Sequence, residues 1–142
     1  MSRDADSAAA WLQYARSDLA LAREPRSGDV LREALAFHAQ QAAERSVKAV
    51  LVHFGIPFPK THSIERLVDL LPPTVPRPPD LLAAAQLTAY ATVFRYPGQK
   101  EAVTAAQLGE AVRLAEWAYA WAEQCIAGEA PAHDERSGTG TS

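Results

Sequence analysis

The sequence predicts an all-α fold: an antiparallel up-and-down bundle of four main helices plus one short helix. Three observations carry this. No segment alternates apolar and polar residues as a half-buried strand does. Alanine-rich stretches instead repeat their apolar residues with a period near 3.6. Proline and glycine fall between those stretches rather than inside them.

The first helix is expected over about 7–23, with Asp6 or Ser7 as its cap. Leu12, Ala15, Leu19 and Ala22 share one face, with Trp11 and Tyr14 beside it. Asp18 falls among these apolar neighbours and needs a partner such as an arginine. Pro25 and Gly28 end the helix. The second is long, about 29–54, with Asp29 as N-cap and Gly55 as the stop. Leu35, Ala39, Val47, Val50 and Phe54 form its core stripe. Pro57 and Pro59 forbid helix in the loop that follows.

The short third helix covers about 63–71, capped by Ser63, and buries Ile64, Leu67, Val68 and Leu71. Five prolines between 72 and 79 predict an extended, exposed loop. The fourth helix, about 80–95, turns Leu81, Leu82, Ala85, Thr88 and Ala89 inward and breaks at Tyr96-Pro97-Gly98. The fifth, about 105–127, opens with the capping box Thr104-x-x-Gln107. Leu108, Val112, Ala115, Tyr119, Ala122 and Ile126 follow one stripe. Trp117 and Trp121 lie off that stripe, so the helix is apolar nearly all round. That leaves two readings open: a homodimer interface or a central buried helix.

The chain has 142 residues, 48% apolar and 22% charged, as expected for one soluble domain over 1–127. No large apolar residue occurs from Gly128 to Ser142, which predicts a disordered C-terminal tail. The single cysteine, Cys125, excludes an internal disulfide and a multi-cysteine zinc site. The four histidines lack paired metal-ligand spacing, so neither metal nor cofactor is expected. A net charge of −3 gives no support for tight nonspecific nucleic-acid binding. With no signal peptide and no bilayer-spanning run, a cytoplasmic location is the default expectation.

Two strings stand out. One is Phe37-His38-Ala39-Gln40-Gln41-Ala42-Ala43-Glu44-Arg45-Ser46-Val47-Lys48-Ala49, where polar groups interrupt a helix. Phe37, Gln41, Glu44, Lys48 and Leu51 share a face, and His38, Gln41, Arg45 and Lys48 an adjoining one. Spacing alone favours a solvated face with one ordinary Glu44–Lys48 pair, worth about 0.3–0.5 kcal/mol if exposed. The other string is Phe94-Arg95-Tyr96-Pro97. Arg95 suits a phosphate or carboxylate, and Tyr96 suits stacking on a base. The plainer reading has Arg95 satisfying the last carbonyls of its helix. His62 either binds an anion and moves a proton or closes its loop with a hydrogen bond. His38 fits a helix face or core edge, His53 complements a helix end, and His133 lies in the tail. No nucleophile motif occurs, and Cys125 falls on the packed side of its helix.

Asp18-Leu19, the Phe37–Ala49 string, Thr61-His62-Ser63-Ile64 and Arg95-Tyr96-Pro97, in this order, resemble the HEPN domain family (higher eukaryotes and prokaryotes nucleotide-binding), over roughly residues 8–126. The resemblance implies a helical bundle, commonly dimeric, often encoded beside a minimal nucleotidyltransferase. Many such proteins act as ribonuclease toxins or in defence; others bind nucleotides or partner proteins without catalysis. Catalytic members carry an arginine, four to six residues, then a histidine. Arg95 matches the arginine, but positions 100, 101 and 102 are Lys, Glu and Ala.

The resemblance also likens Glu44-x-x-x-Lys48 to a charged pair that orients the arginine. The expected function is therefore a noncatalytic module that binds a nucleotide, RNA or a nucleotidyltransferase partner, as a homodimer, in a toxin–antitoxin or defence setting. Its binding residues would be Gln41, Glu44, Lys48, His62, Arg95 and Tyr96. The alternatives are a ribonuclease toxin using His62 or His38, and a purely structural partner subunit.

Overall fold

The computed structural model describes residues 7–24, 28–93 and 102–128. Helices α1 (Ala8–Arg23), α2 (Arg32–His53) and α6 (Ala105–Ala127) are the long ones. Between them lie α3 (Ile64–Asp69), α4 (Pro79–Ala85) and α5 (Tyr90–Val93). A 3-10 turn, Gln86–Ala89, joins α4 to α5, so the expected fourth helix is a continuous but internally tightened rod. The helices pack on one another, and the described residues contain no strand.

Local chemistry sets most of the boundaries. Ser7 Oγ accepts from Ala10 N at 3.0 Å and opens α1. Ser63 Oγ accepts from Arg66 N at 3.3 Å and opens α3. Thr104 and Gln107 form the expected reciprocal cap: Thr104 N donates to Gln107 Oε1 at 2.8 Å, and Gln107 N to Thr104 Oγ1 at 3.0 Å. Asp29 does not cap α2. The helix starts three residues later, behind Leu31, which supplies no side-chain bond. Gly55, at φ +71°, takes the left-handed position that ends α2.

Helix α2 is the centre of the bundle. It packs against α1 and α6 above all, and fourteen of its 22 residues are buried. Leu35, Ala39, Val47 and Val50 are in the core as predicted, but Phe54, at the C-cap, is 42% exposed. On α6 the buried stripe is Ala111, Leu114, Ala115, Ala118, Trp121, Ala122 and Cys125. It is rotated from the predicted one: Leu108, Val112, Tyr119 and Ile126 are only half-buried flanks. Trp121 is in the core of its own bundle, and half-buried Trp117 stacks on it with ring centroids 6.1 Å apart. The helix buried nearly all round is thus α2 rather than α6.

Two further expectations fail for identifiable reasons. Leu82 and Ala89 face outward: Leu82 falls on the solvent side of α4, which buries Leu81, Ala84 and Ala85, and the 3-10 turn that follows buries Leu87 and leaves Ala89 outside. The same turn brings Thr88 Oγ1 to Ile64 N, from which it accepts at 2.9 Å, while donating to Ala85 O. The proline-rich loop is not simply extended and exposed. The Arg77 guanidinium donates to the carbonyls of Val68, Leu71 and Val75 at 3.2, 2.7 and 3.1 Å, and Val75 is buried. One side chain thereby closes the end of α3 and gathers the loop beneath it.

Candidate functional site

The Glu44–Lys48 face of α2 is not solvated. Gln40, Gln41, Glu44, Ser46 and Lys48 are all buried, Glu44 at 2% exposure. Spacing could not reveal this, because i, i+4 pairs look alike on a wet face and inside a seam. Burial of a carboxylate requires partners, and Glu44 has three. Lys48 Nζ donates to Oε2 at 2.7 Å, and Gln40 Nε2 donates to Oε1 at 2.8 Å. The His62 ring closes the set with Nδ1 3.0 Å from Oε1. Gln40 Nε2 also reaches the backbone carbonyl of His62 at 3.4 Å, so the loop before α3 is tied to α2 through both groups.

The Lys48 ammonium is enclosed as well as paired. It lies 5.4 Å from the centre of the Trp11 ring and 5.6 Å from that of Phe58. Those two rings meet edge to face at 6.0 Å. A desolvated ammonium against two ring faces is held by their quadrupoles as well as by Glu44. The rigid Ile56-Pro57-Phe58-Pro59 loop is what delivers Phe58 there. Gln40, Trp11 and Phe58 belong to this centre but were not singled out from the sequence. The Gln40–Glu44 spacing was the available signal; the position of Phe58 is tertiary and left none.

The centre has an inside and an outside. Side-chain exposure is 2% for Glu44, 11% for Lys48 and 51% for His62. Only the imidazole reaches solvent, held from behind through Nδ1. That leaves Nε2 as its outward nitrogen, able to accept or donate one hydrogen bond. Of the predicted binding residues, the structure brings Glu44, Lys48 and His62 together. Gln41 is buried on the same helix but makes none of the hydrogen bonds to Glu44. Arg95 and Tyr96 lie outside the described residues. The chain on the far side of them is fixed to α2: Val103 N donates to Glu33 Oε2 at 3.1 Å, and Arg32 Nη1 donates to Val103 O at 3.4 Å.

Asp18 has the arginine it was expected to need. Arg45 Nη1 donates to Oδ2 at 2.7 Å, and His38 Nδ1 is 3.1 Å from Oδ1. Cys125 is buried and burial pushes its thiol up to about 11, so it is no nucleophile at neutral pH. Among the described residues no group of histidine, cysteine and carboxylate side chains is arranged to hold a metal, and no helix is long and apolar enough to cross a membrane.

Comparison with known proteins agrees with this architecture. The HEPN domain matches residues 8–125. The chain is similar to TT1696 from Thermus thermophilus, known from a crystal structure, at 33% identity and a TM-score of 0.69. That match covers 83% of this chain and 97% of the other. No curated protein matches the sequence.

Proposed function

This chain belongs to the HEPN domain family, and we propose that it is a noncatalytic member that binds a nucleotide or RNA, with a minimal nucleotidyltransferase as a further protein partner. The carrying observation is the enclosure of Glu44. Its oxygens take donors from Lys48, Gln40 and His62, and the Lys48 ammonium is boxed by Trp11 and Phe58. In this reading Glu44 and Lys48 are a frame, not free acid, base or phosphate ligand. Ligand contact falls to His62 at the rim and to Arg95 and Tyr96 of the second sequence string. Gln41 shares the α2 face and supports the frame by packing.

The absence of a histidine at positions 100–102 supports binding over cleavage. One observation favours a second reading, a ribonuclease with a substitute proton carrier. His62 is paired with a carboxylate through Nδ1 and is half exposed, as a general acid or base would be. Incubating the purified chain with tRNA and mRNA separates the two. Intact RNA agrees with the binding module; cleavage that disappears in His62→Gln would replace it with the ribonuclease.

A further inference from the structure

A second carboxylate lies along the same helix pair, and the function above does not use it. Asp18, on α1, is 6% exposed and is held by two α2 side chains seven residues apart. Residues i and i+7 share a helix face, so His38 and Arg45 reach the same carboxylate from either side. One arginine at 2.7 Å already neutralises Asp18. Holding an imidazole as well has a different consequence. It fixes the ring through Nδ1 and leaves Nε2 as the remaining polar atom.

That nitrogen makes no hydrogen bond among the described residues, and neither do Nε and Nη2 of Arg45. The guanidinium carbon lies 5.5 Å from the centre of the Tyr14 ring, which braces the group while leaving those donors open. Exposure runs the same way. The Asp18 side chain is 8% exposed, those of His38 and Arg45 are each 33% exposed, and Tyr14 is 57% exposed. The acid is inside and its two holders reach water. Lys48 differs: it is 11% exposed and enclosed on several sides.

We propose that His38 and Arg45, oriented by Asp18, form a second site that takes a phosphate-type oxyanion. The guanidinium offers a planar fork suited to phosphate oxygens. Asp18 lies buried beneath its two holders, so the open donors of Arg45 and the Nε2 of His38 are what the trio presents to solvent. A terminal phosphate of a nucleotide and a backbone phosphate of RNA present the same oxygens to it. The site rests on other residues than the Glu44 centre and does not depend on the function proposed there.

The test is nitrogen NMR of the full chain at fixed pH and constant ionic strength, titrated with inorganic phosphate against chloride. The His38 Nε2 and Arg45 Nε resonances move together and saturate, while His53, exposed at the far end of α2, stays in place. Arg45→Gln weakens the affinity read at His38 Nε2 about tenfold or more, and Arg113→Gln on α6, which pairs with Glu110 and Asp80, leaves it unchanged; reading at His38 and Arg45 keeps this result separate from that of the nucleotide site. If Arg45→Gln fails to fold, His38→Gln followed at Arg45 Nε shows the same weakening. A drift common to every histidine without saturation, or an affinity unchanged in the variant that folds, overturns the site. Repeating the titration with a nucleoside 5′-monophosphate and with an RNA oligonucleotide lacking a terminal phosphate tells the terminal from the backbone source.

Discussion

Glu44 and Lys48, one turn apart on α2, are both buried and joined at 2.7 Å inside the bundle. Such a pair is held by mutual dependence, because either charge left alone in the seam is costly. Lys48→Met keeps the aliphatic contacts with Trp11 and Phe58 but strands the carboxylate. It lowers unfolding free energy by about 3 kcal/mol or more in urea denaturation. Adding Glu44→Gln removes the stranded charge and recovers a large part of that loss. Additive losses in the double variant would show that the two side chains do not act as a pair.

Arg77 replaces loop rigidity with hydrogen bonds. Its guanidinium meets carbonyls from Val68, Leu71 and Val75. Arg77→Met leaves those acceptors without their charged donor and costs about 2–3 kcal/mol. Amide exchange reads the location: protection falls in α3 and in the loop that follows, not in α1.

Thr88 is a polar hinge between the 3-10 turn and α3. Thr88→Val preserves shape but deprives Ile64 N of its acceptor. The expected cost is about 1–3 kcal/mol, measured as a lowered denaturation midpoint. A neutral result would mean that Ile64 N finds another partner.

Cys125 gives the pH dependence. Burial raises its folded-state thiol from 9.0 to about 11, so the folded chain holds this proton where the unfolded chain has released it. The contribution is fully present below about pH 9 and is lost as pH rises towards 11. Its size is about 2–3 kcal/mol at most. Comparing the stability of Cys125→Ala and the parent chain from pH 8 to pH 11 checks the sign: the difference between them narrows or reverses as pH rises. In the native chain at pH 8 the thiol also reacts with iodoacetamide far more slowly than in the unfolded chain.

Much of the fold was readable because it is written locally. Ser7, Ser63, Thr104 with Gln107, and Gly55 act within a few residues of themselves, and each does what its position announced. The failures are tertiary. Arg77 folds a proline-rich loop that composition describes as extended. Leu82 falls on the solvent side of α4, and the 3-10 turn that follows leaves Ala89 out of the core. The site divides in the same way. Glu44, Lys48 and His62 were named from the strings that carry the family resemblance. Their burial, the role of Gln40 and the aromatic box depend on α1 and on the Phe58 loop closing over α2, which no spacing along α2 contains. Asp18 was legible in part: an acid among apolar neighbours demands a cation, but nothing local selects Arg45 and His38 together.

We propose that the chain binds rather than cleaves, with His62, Arg95 and Tyr96 as its ligand contacts. Calorimetric titration of a nucleoside triphosphate and of a single-stranded RNA oligonucleotide into the parent chain and into Arg95→Ala tests it most directly. The account predicts saturable binding by the parent, affinity about tenfold lower in Arg95→Ala, and the same thermal midpoint for both free proteins. No binding by the parent, or equal affinity in the variant, would contradict it.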